Sequence, residues 1–205
     1  MKILIAIPAM EQVPSQFAHC LASLKKIEQC AITFQIGSLI YTSRNELAKK
    51  AIEMEADYVF WLDSDMVFEN DVLEKIYEDR NLGDIITGLY FRRVQPYTPV
   101  LFDKLDIDEN GCKWTDFDCL PDEPFEVGGC GFGCVLTPTN VFIDVVNKFG
   151  DMFSPIGGVG EDLSFCWRAR QCGYNIVCDP KITLGHVGHY VITKEFYDIY
   201  SKGKK

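Results

Sequence analysis

Tyr58-Val59-Phe60-Trp61-Leu62-Asp63-Ser64-Asp65-Met66 runs from five apolar residues straight into two carboxylates separated by one serine. An unbroken apolar run of that length suits a strand buried on both faces of an α/β sheet, where neither face meets water. The carboxylates therefore emerge at a strand's C-terminal end, and in open α/β sheets ligands settle beyond those ends. Two carboxylates one residue apart can point to the same side and share a hard divalent cation, which in turn can hold a diphosphate. A D-x-D triplet also arises by chance, and aspartate is common where strands turn, so the surrounding sequence decides its meaning.

On the N-terminal side, Ser43-Arg44-Asn45-Glu46 has the pattern of a capping box, and Leu47, Ala48, Ala51 and Ile52 give the following helix an inner stripe. Residues 2–7 read as a first strand and residues 31–36 as a second. Between them, residues 15–29 place Phe17, Leu21, Leu24 and Ile27 at helical spacing. On the C-terminal side, residues 71–80 read as a helix, 84–90 as a strand, and 91–125 as a polar, proline-containing loop or small accessory sheet. Residues 126–136, rich in glycine, resemble a strand; Thr137-Pro138 caps a helix that runs to Phe149. Residues 160–172 form a further helix closed by Gly173, residues 175–178 a short strand, and residues 201–205 a frayed tail. Strands alternating with amphipathic helices imply an α/β fold whose sheet is covered on both faces.

With 205 residues, 47% hydrophobic and 24% charged, and neither a linker nor an internal repeat, the chain is expected to form one domain. A formal net charge of -10 disfavours nucleic acid as a general partner. The nine cysteines contain no C-x-x-C pair and several lie in apolar runs, the usage of reduced thiols in a cytoplasmic protein. The opening apolar run ends at Pro8 and is followed by Glu11, so it reads as a buried strand and not a signal peptide. No segment approaches the roughly 20 apolar residues of a membrane span.

Phe60-Trp61-Leu62-Asp63-Ser64-Asp65-Met66 resembles the aspartate motif of GT-A glycosyltransferases, notably the family 2 group. Ser43-Arg44-Asn45 is similar to the A-R-N segment that these enzymes place before the metal-binding strand, and Gly160-Glu161-Asp162-Leu163-Ser164-Phe165 to their E-D motif. The likeness extends over about three quarters of the chain through short motifs in the right order. It implies a Rossmann-like mixed sheet flanked by helices, with residues 1–90 as a nucleotide-sugar-binding half and 91–205 as an acceptor-side half. It also implies a nucleotide-diphosphate sugar donor, a hydroxyl acceptor, and Mn2+ or Mg2+ as the metal.

Residue by residue, the resemblance puts Asp63, Ser64 and Asp65 on the donor together with Pro8, Ala9 and Arg44. Asp162 becomes the base that takes the acceptor proton, with inversion, and Glu161 its neighbour. In Gly185-His186-Val187-Gly188-His189, His186 becomes a metal ligand beside Asp63 and Asp65, with His189 as the fallback; an imidazole shifts preference from magnesium to manganese. Gly129, Gly131 and Gly133 fall on the strand beneath the acceptor; their run lacks the strand-to-helix setting of a dinucleotide fingerprint.

Other readings of these residues stay open. Arg44 could be a solvated first-turn arginine, and Glu161 and Asp162 are also favourable dipole partners at a helix start. Residues 31–37 lack the D-D-G-S sequence whose aspartate holds the nucleobase in the family, which leaves base recognition open. A sugar nucleotidyltransferase would want a glycine- and arginine-rich loop where this chain has Pro8-Ala9-Met10-Glu11-Gln12. A non-catalytic nucleotide-sugar or glycan-binding module would use the same acids as structural caps.

Overall fold

The structure, a computed structural model, describes residues 1–27, 29–37, 39–188 and 191–202. The chain begins β1 (Ile3–Ala9), α1 (Ser15–Ser23), β2 (Cys30–Ile36), α2 (Ile40–Glu53), β3 (Tyr58–Leu62), β4 (Met66–Val67), α3 (Val72–Glu78) and β5 (Ile85–Leu89). It continues through short strands β6 (Leu101–Phe102), β7 (Lys104–Asp108), β8 (Gly111–Thr115), β9 (Phe125–Glu126) and β10 (Gly129–Cys130). It closes with β11 (Cys134–Pro138), α4 (Thr139–Phe149), α5 (Glu161–Gln171), β12 (Ile176–Thr183), β13 (Gly185–Val187), β14 (Val191–Ile192) and α6 (Lys194–Lys202).

Seven strands form the main sheet in the order β2-β1-β3-β11-β5-β12-β9. β1 lies parallel to both neighbours, with Ile3 opposite Cys30 and Tyr58. β11 is inserted antiparallel between β3 and β5, Val135 facing Trp61 on one side and Thr87 on the other. The sheet is therefore mixed. Alternation along the strands feeds two cores: Leu4, Ala6, Val59 and Trp61 pack towards α2, α4 and α5, while Ile3, Ile5, Ile7, Phe60 and Leu62 pack towards α1 and α3. Trp61 anchors the first core edge-on to Phe132, Phe142 and Phe153, with ring centroids 5.4–5.9 Å apart. Burying a side chain of this size contributes on the order of 2–3 kcal/mol.

Several sequence expectations shift. The capping box is not used: α2 starts at Ile40, the Ser43 amide already bonds the Leu39 carbonyl at 3.2 Å, and Ser43 is buried inside the helix. α1 stops at Ser23 because Leu24 turns extended and the Lys25 amide bonds Asn70, so Ile27 belongs to the connection. The glycine-rich run is divided between β10 and β11, which lie in different sheets. The strand expected at residues 175–178 is longer, β12 running to Thr183, and β13, β14 and α6 follow it. The predicted helix appears as α4, but Thr137 does not cap it: Thr137 and Pro138 belong to β11, no side chain caps the helix start at Thr139, and the helix ends at Gly150, whose φ of 75° is one that glycine adopts without strain. Residues 91–125 form the β7–β8 hairpin and its connections, an accessory sheet.

Two features place the functional groups. β1 and β3 run in register and end on the same side, so Pro8 and Ala9 emerge next to Asp63. Beyond β3, β4 pairs with β13, His186 opposite Met66, and the Val187 amide bonds the Asp65 carbonyl at 2.8 Å. The C-terminal histidine is carried to the second aspartate by this short sheet.

Candidate active site

At the carboxyl ends of β1 and β3 lies a cavity of about 310 Å³ lined by Pro8, Ala9, Arg44, Asp63, Ser64, Asp65, Glu161 and Asp162, together with Met10, Gly37 and Ile40. The eight residues first named come from four separate stretches of sequence, and all eight were expected on the donor or catalytic side. Met10, Gly37 and Ile40 were not singled out; they carry no chemistry-bearing group, so only the fold reveals them. The volume is at the small end of the range for small-molecule sites.

Arg44 sits at the centre of this wall. It is 2% exposed, donates from Nη2 to Asp63 Oδ1 at 2.8 Å and from Nε to Glu161 Oε1 at 3.1 Å. Its guanidinium also lies 5.7 Å from the Trp61 ring centroid and 5.3 Å from that of Phe132. A solvated first-turn role is therefore ruled out: α2 begins a turn earlier than the sequence suggests, so Arg44 points into the protein. Among the described residues, Nη1 has no hydrogen-bond partner although it is buried. A buried donor left unsatisfied is costly, and here it borders a cavity.

The two aspartates have different surroundings. Burial pushes the Asp63 carboxyl upward, with Arg44 opposing and Asp65 reinforcing the rise. For Asp65 burial acts in the same direction, but hydrogen bonding and charge from His186, together with Arg93, outweigh it and hold the carboxyl below its ordinary range. Asp65 Oδ2 is 3.3 Å from His186 Nε2 and 2.5 Å from Arg93 Nη1. His186 Nδ1 is 2.9 Å from the Phe91 carbonyl, which accepts its N–H and leaves Nε2 facing Asp65. Burial lowers the His186 pKa, yet the Asp65 carboxylate outweighs it and the net shift is upward.

Asp162 opens α5 in the first turn after Gly160, and its Oδ1 accepts the Leu163 amide at 2.7 Å. Burial, reinforced by Glu161, lifts its carboxyl to about 6, against the Leu163 hydrogen bond and Arg44. An acid in this range can change protonation near neutral pH.

Other expected residues stand elsewhere. Gly129, Gly131 and Gly133 are buried and do not line the cavity; a Cβ on Gly133 would approach Tyr90 Cζ to 2.8 Å, and Gly131 faces the Tyr90 hydroxyl. Gly129 permits close packing of β10 on Leu105 and on Leu163 of α5, and Gly131 and Gly133 permit close approach of Tyr90, which follows β5. His189 lies outside the described residues. Among the described residues no three His, Cys, Asp or Glu side chains converge to cage a metal, and Asp63 is engaged by Arg44. Asp65 and His186 do come together, and a carboxylate beside an imidazole tied through Nδ1 to a carbonyl is a donor set that suits a first-row divalent ion. Arg93 was missed by sequence reading because it lies in the irregular stretch after β5, where no periodicity marks it.

No protein-family model matches the chain, and no curated protein matches it in sequence. Solved structures do. The crystal structure of A197 from STIV superposes with a TM-score of 0.64 at 18% identity, covering 92% of this chain and 86% of that one. The crystal structure of GalNAc-T7 with UDP, GalNAc and Mn2+ superposes with a TM-score of 0.62 at 11% identity, covering 92% of this chain and 44% of that one. These likenesses and the mixed seven-stranded sheet give the chain a fold of the GT-A glycosyltransferase type. No helix among the described residues is long and apolar enough to cross a membrane.

Proposed function

We propose that the protein is a metal-dependent glycosyltransferase that moves a sugar from a nucleotide-diphosphate donor to a hydroxyl acceptor with inversion. The observation that carries this reading is the gathering of Arg44, Asp63, Asp65, Glu161 and Asp162 around one cavity at the carboxyl ends of β1 and β3. In a GT-A type fold that is the position from which a nucleotide sugar is handled, and the similar GalNAc-T7 structure contains UDP, GalNAc and Mn2+.

Asp65 and His186 are the residues that would hold a divalent ion. Bound there, manganese or magnesium supplies charge neutralisation for the departing diphosphate. Arg44 clamps β3 to α5 through Asp63 and Glu161, and its Nη1 is left as a donor without a partner among the described residues. Pro8 and Ala9 form the backbone floor at the end of β1. Asp162 has one oxygen occupied by the Leu163 amide, which leaves the other to take the proton of an acceptor hydroxyl. As that oxygen attacks the anomeric carbon, the bond to the diphosphate breaks on the opposite face and the configuration inverts.

Asp65→Ala is expected to abolish manganese-dependent release of free nucleotide from a panel of nucleotide sugars, while circular dichroism stays unchanged. Turnover at the wild-type rate in that variant removes the metal-holding role of Asp65. Donor binding without release of nucleotide, with any acceptor offered, identifies a binding module instead, and release of pyrophosphate from a nucleoside triphosphate identifies a nucleotidyltransferase.

A further inference from the structure

β2 is the outer strand of the main sheet, with β1 on one side and no strand on the other among the described residues. It is seven residues long and reads Cys30-Ala31-Ile32-Thr33-Phe34-Gln35-Ile36, with no charge, proline or glycine. Natural sheets guard such edges with charged residues, proline, bulges or very short strands. The opposite edge follows that rule, since β9 has two residues, one of them Glu126. Around β2 the reverse holds: from Gln29 to Ser43 no Asp, Glu, Lys, Arg or His occurs, in a chain whose charged residues amount to 24%.

The face of β2 that looks towards α1 carries Cys30, Ile32, Phe34 and Ile36 in one row. Phe34 is 42% exposed and Ile36 63% exposed. Ile32 and Phe34, with Val13, Phe17, Leu21 and Leu24, line a mainly apolar hollow of about 640 Å³ to which Lys26 also contributes, roughly twice the volume of the cavity at Asp63. α1 thus covers only part of this row.

We propose that a second copy of this chain covers the rest, through a two-fold axis that pairs β2 antiparallel with itself about Thr33. This interface does not depend on what the cavity at Asp63 binds. The strand is self-complementary in that register: Ile32 falls opposite Phe34 of the copy, Cys30 opposite Ile36, and Ala31 opposite Gln35, so the row facing α1 is apolar throughout. The charges flanking the strand are arranged to match. Lys25, Lys26 and Glu28 precede it in the sequence, a net positive end, and Glu11 follows the paired end of β1 at the other; Lys25, which also lies 3.9 Å from Glu74, Lys26 and Glu11 are exposed. Antiparallel pairing brings the basic end of each copy to the acidic end of its mate, whereas parallel pairing sets like charges together. A strand of this length spans about 24 Å.

Light scattering coupled to size exclusion is expected to give the full chain twice its mass of 23.3 kDa at micromolar concentration. Phe34→Glu halves that mass without changing the circular dichroism spectrum. Thr33→Cys, under mild oxidation, gives a covalent dimer on a non-reducing gel that the wild type does not give, because the axis sets this position against itself. A wild-type chain of 23.3 kDa at every concentration overturns the proposal. So does a dimer that keeps its mass in Phe34→Glu and fails to cross-link in Thr33→Cys; should Phe34→Glu fail to fold, the cross-link alone decides.

Discussion

Arg44→Met loses about 3–5 kcal/mol of stability in urea unfolding at neutral pH, the cost of leaving buried carboxylates without their counter-ion. Arg44 is almost fully enclosed and serves two acids at once, Asp63 on β3 and Glu161 on α5. Removing it leaves Asp63 under the burial that already raises its carboxyl, with the main opposing influence gone. For a chain of this size the loss lowers the melting temperature by roughly 6–20 °C. Arg44→Lys recovers only part, because an ammonium lacks the planar fork that reaches two carboxylates in different directions. A loss below about 1 kcal/mol in Arg44→Met shows the clamp to behave like an exposed ion pair, and the description of Arg44 as the keystone of the wall is then wrong.

Asp162→Asn lowers kcat by a factor of about 10²–10⁴, the usual contribution of a positioned general base. In the wild type, kcat/KM rises with pH and levels off above about 6, where the Asp162 carboxyl gives up its proton; in the variant that limb disappears. The effect on stability has the opposite sign. A carboxyl whose folded pKa lies above its ordinary value stabilises the fold at low pH, and that contribution is lost as pH rises from the ordinary value near 3.8 through 6. At neutral pH the wild type carries a strained carboxylate, so Asp162→Asn gains on the order of 2–3 kcal/mol there and little at pH 4. A variant that is both more stable and far less active is what a functional acid gives. An unchanged kcat with the stability gain intact marks Asp162 as a buried helix-start acid with no part in proton transfer.

The parts legible in the sequence are those written locally. The apolar run 58–62 fits only a buried strand, and its exit into Asp63-Ser64-Asp65 puts both acids at a sheet edge on the strength of residue order alone. Glu161 and Asp162 are readable for the same reason, as adjacent acids after a glycine-rich turn. Arg44 stands out in the sequence, but its partners do not, because Glu161 is more than a hundred residues away and no local pattern encodes a contact at that separation. The antiparallel insertion of β11 between β3 and β5 is likewise hidden, since the order of strands is set by packing and not by the residues of any one strand. His186 reaches Asp65 only through the pairing of β13 with β4. At 129, 131 and 133 the sequence marks glycines that permit close approach without saying what approaches; Tyr90 lies against Gly131 and Gly133, and Leu105 against Gly129. Arg93 and the carbonyl of Phe91, which hold Asp65 and His186, lie in a stretch with no period to read.

A crystal of the protein soaked with manganese and a nucleotide sugar bears most directly on the claim that the cavity between Pro8 and Asp162 is where the donor diphosphate is held. Density for a divalent ion touching Asp65 Oδ2 and His186 Nε2, with the diphosphate beside it and within reach of Arg44, is the outcome the proposed function demands. A nucleotide bound elsewhere, with Asp65 still paired to Arg93 and no ion at His186, contradicts it.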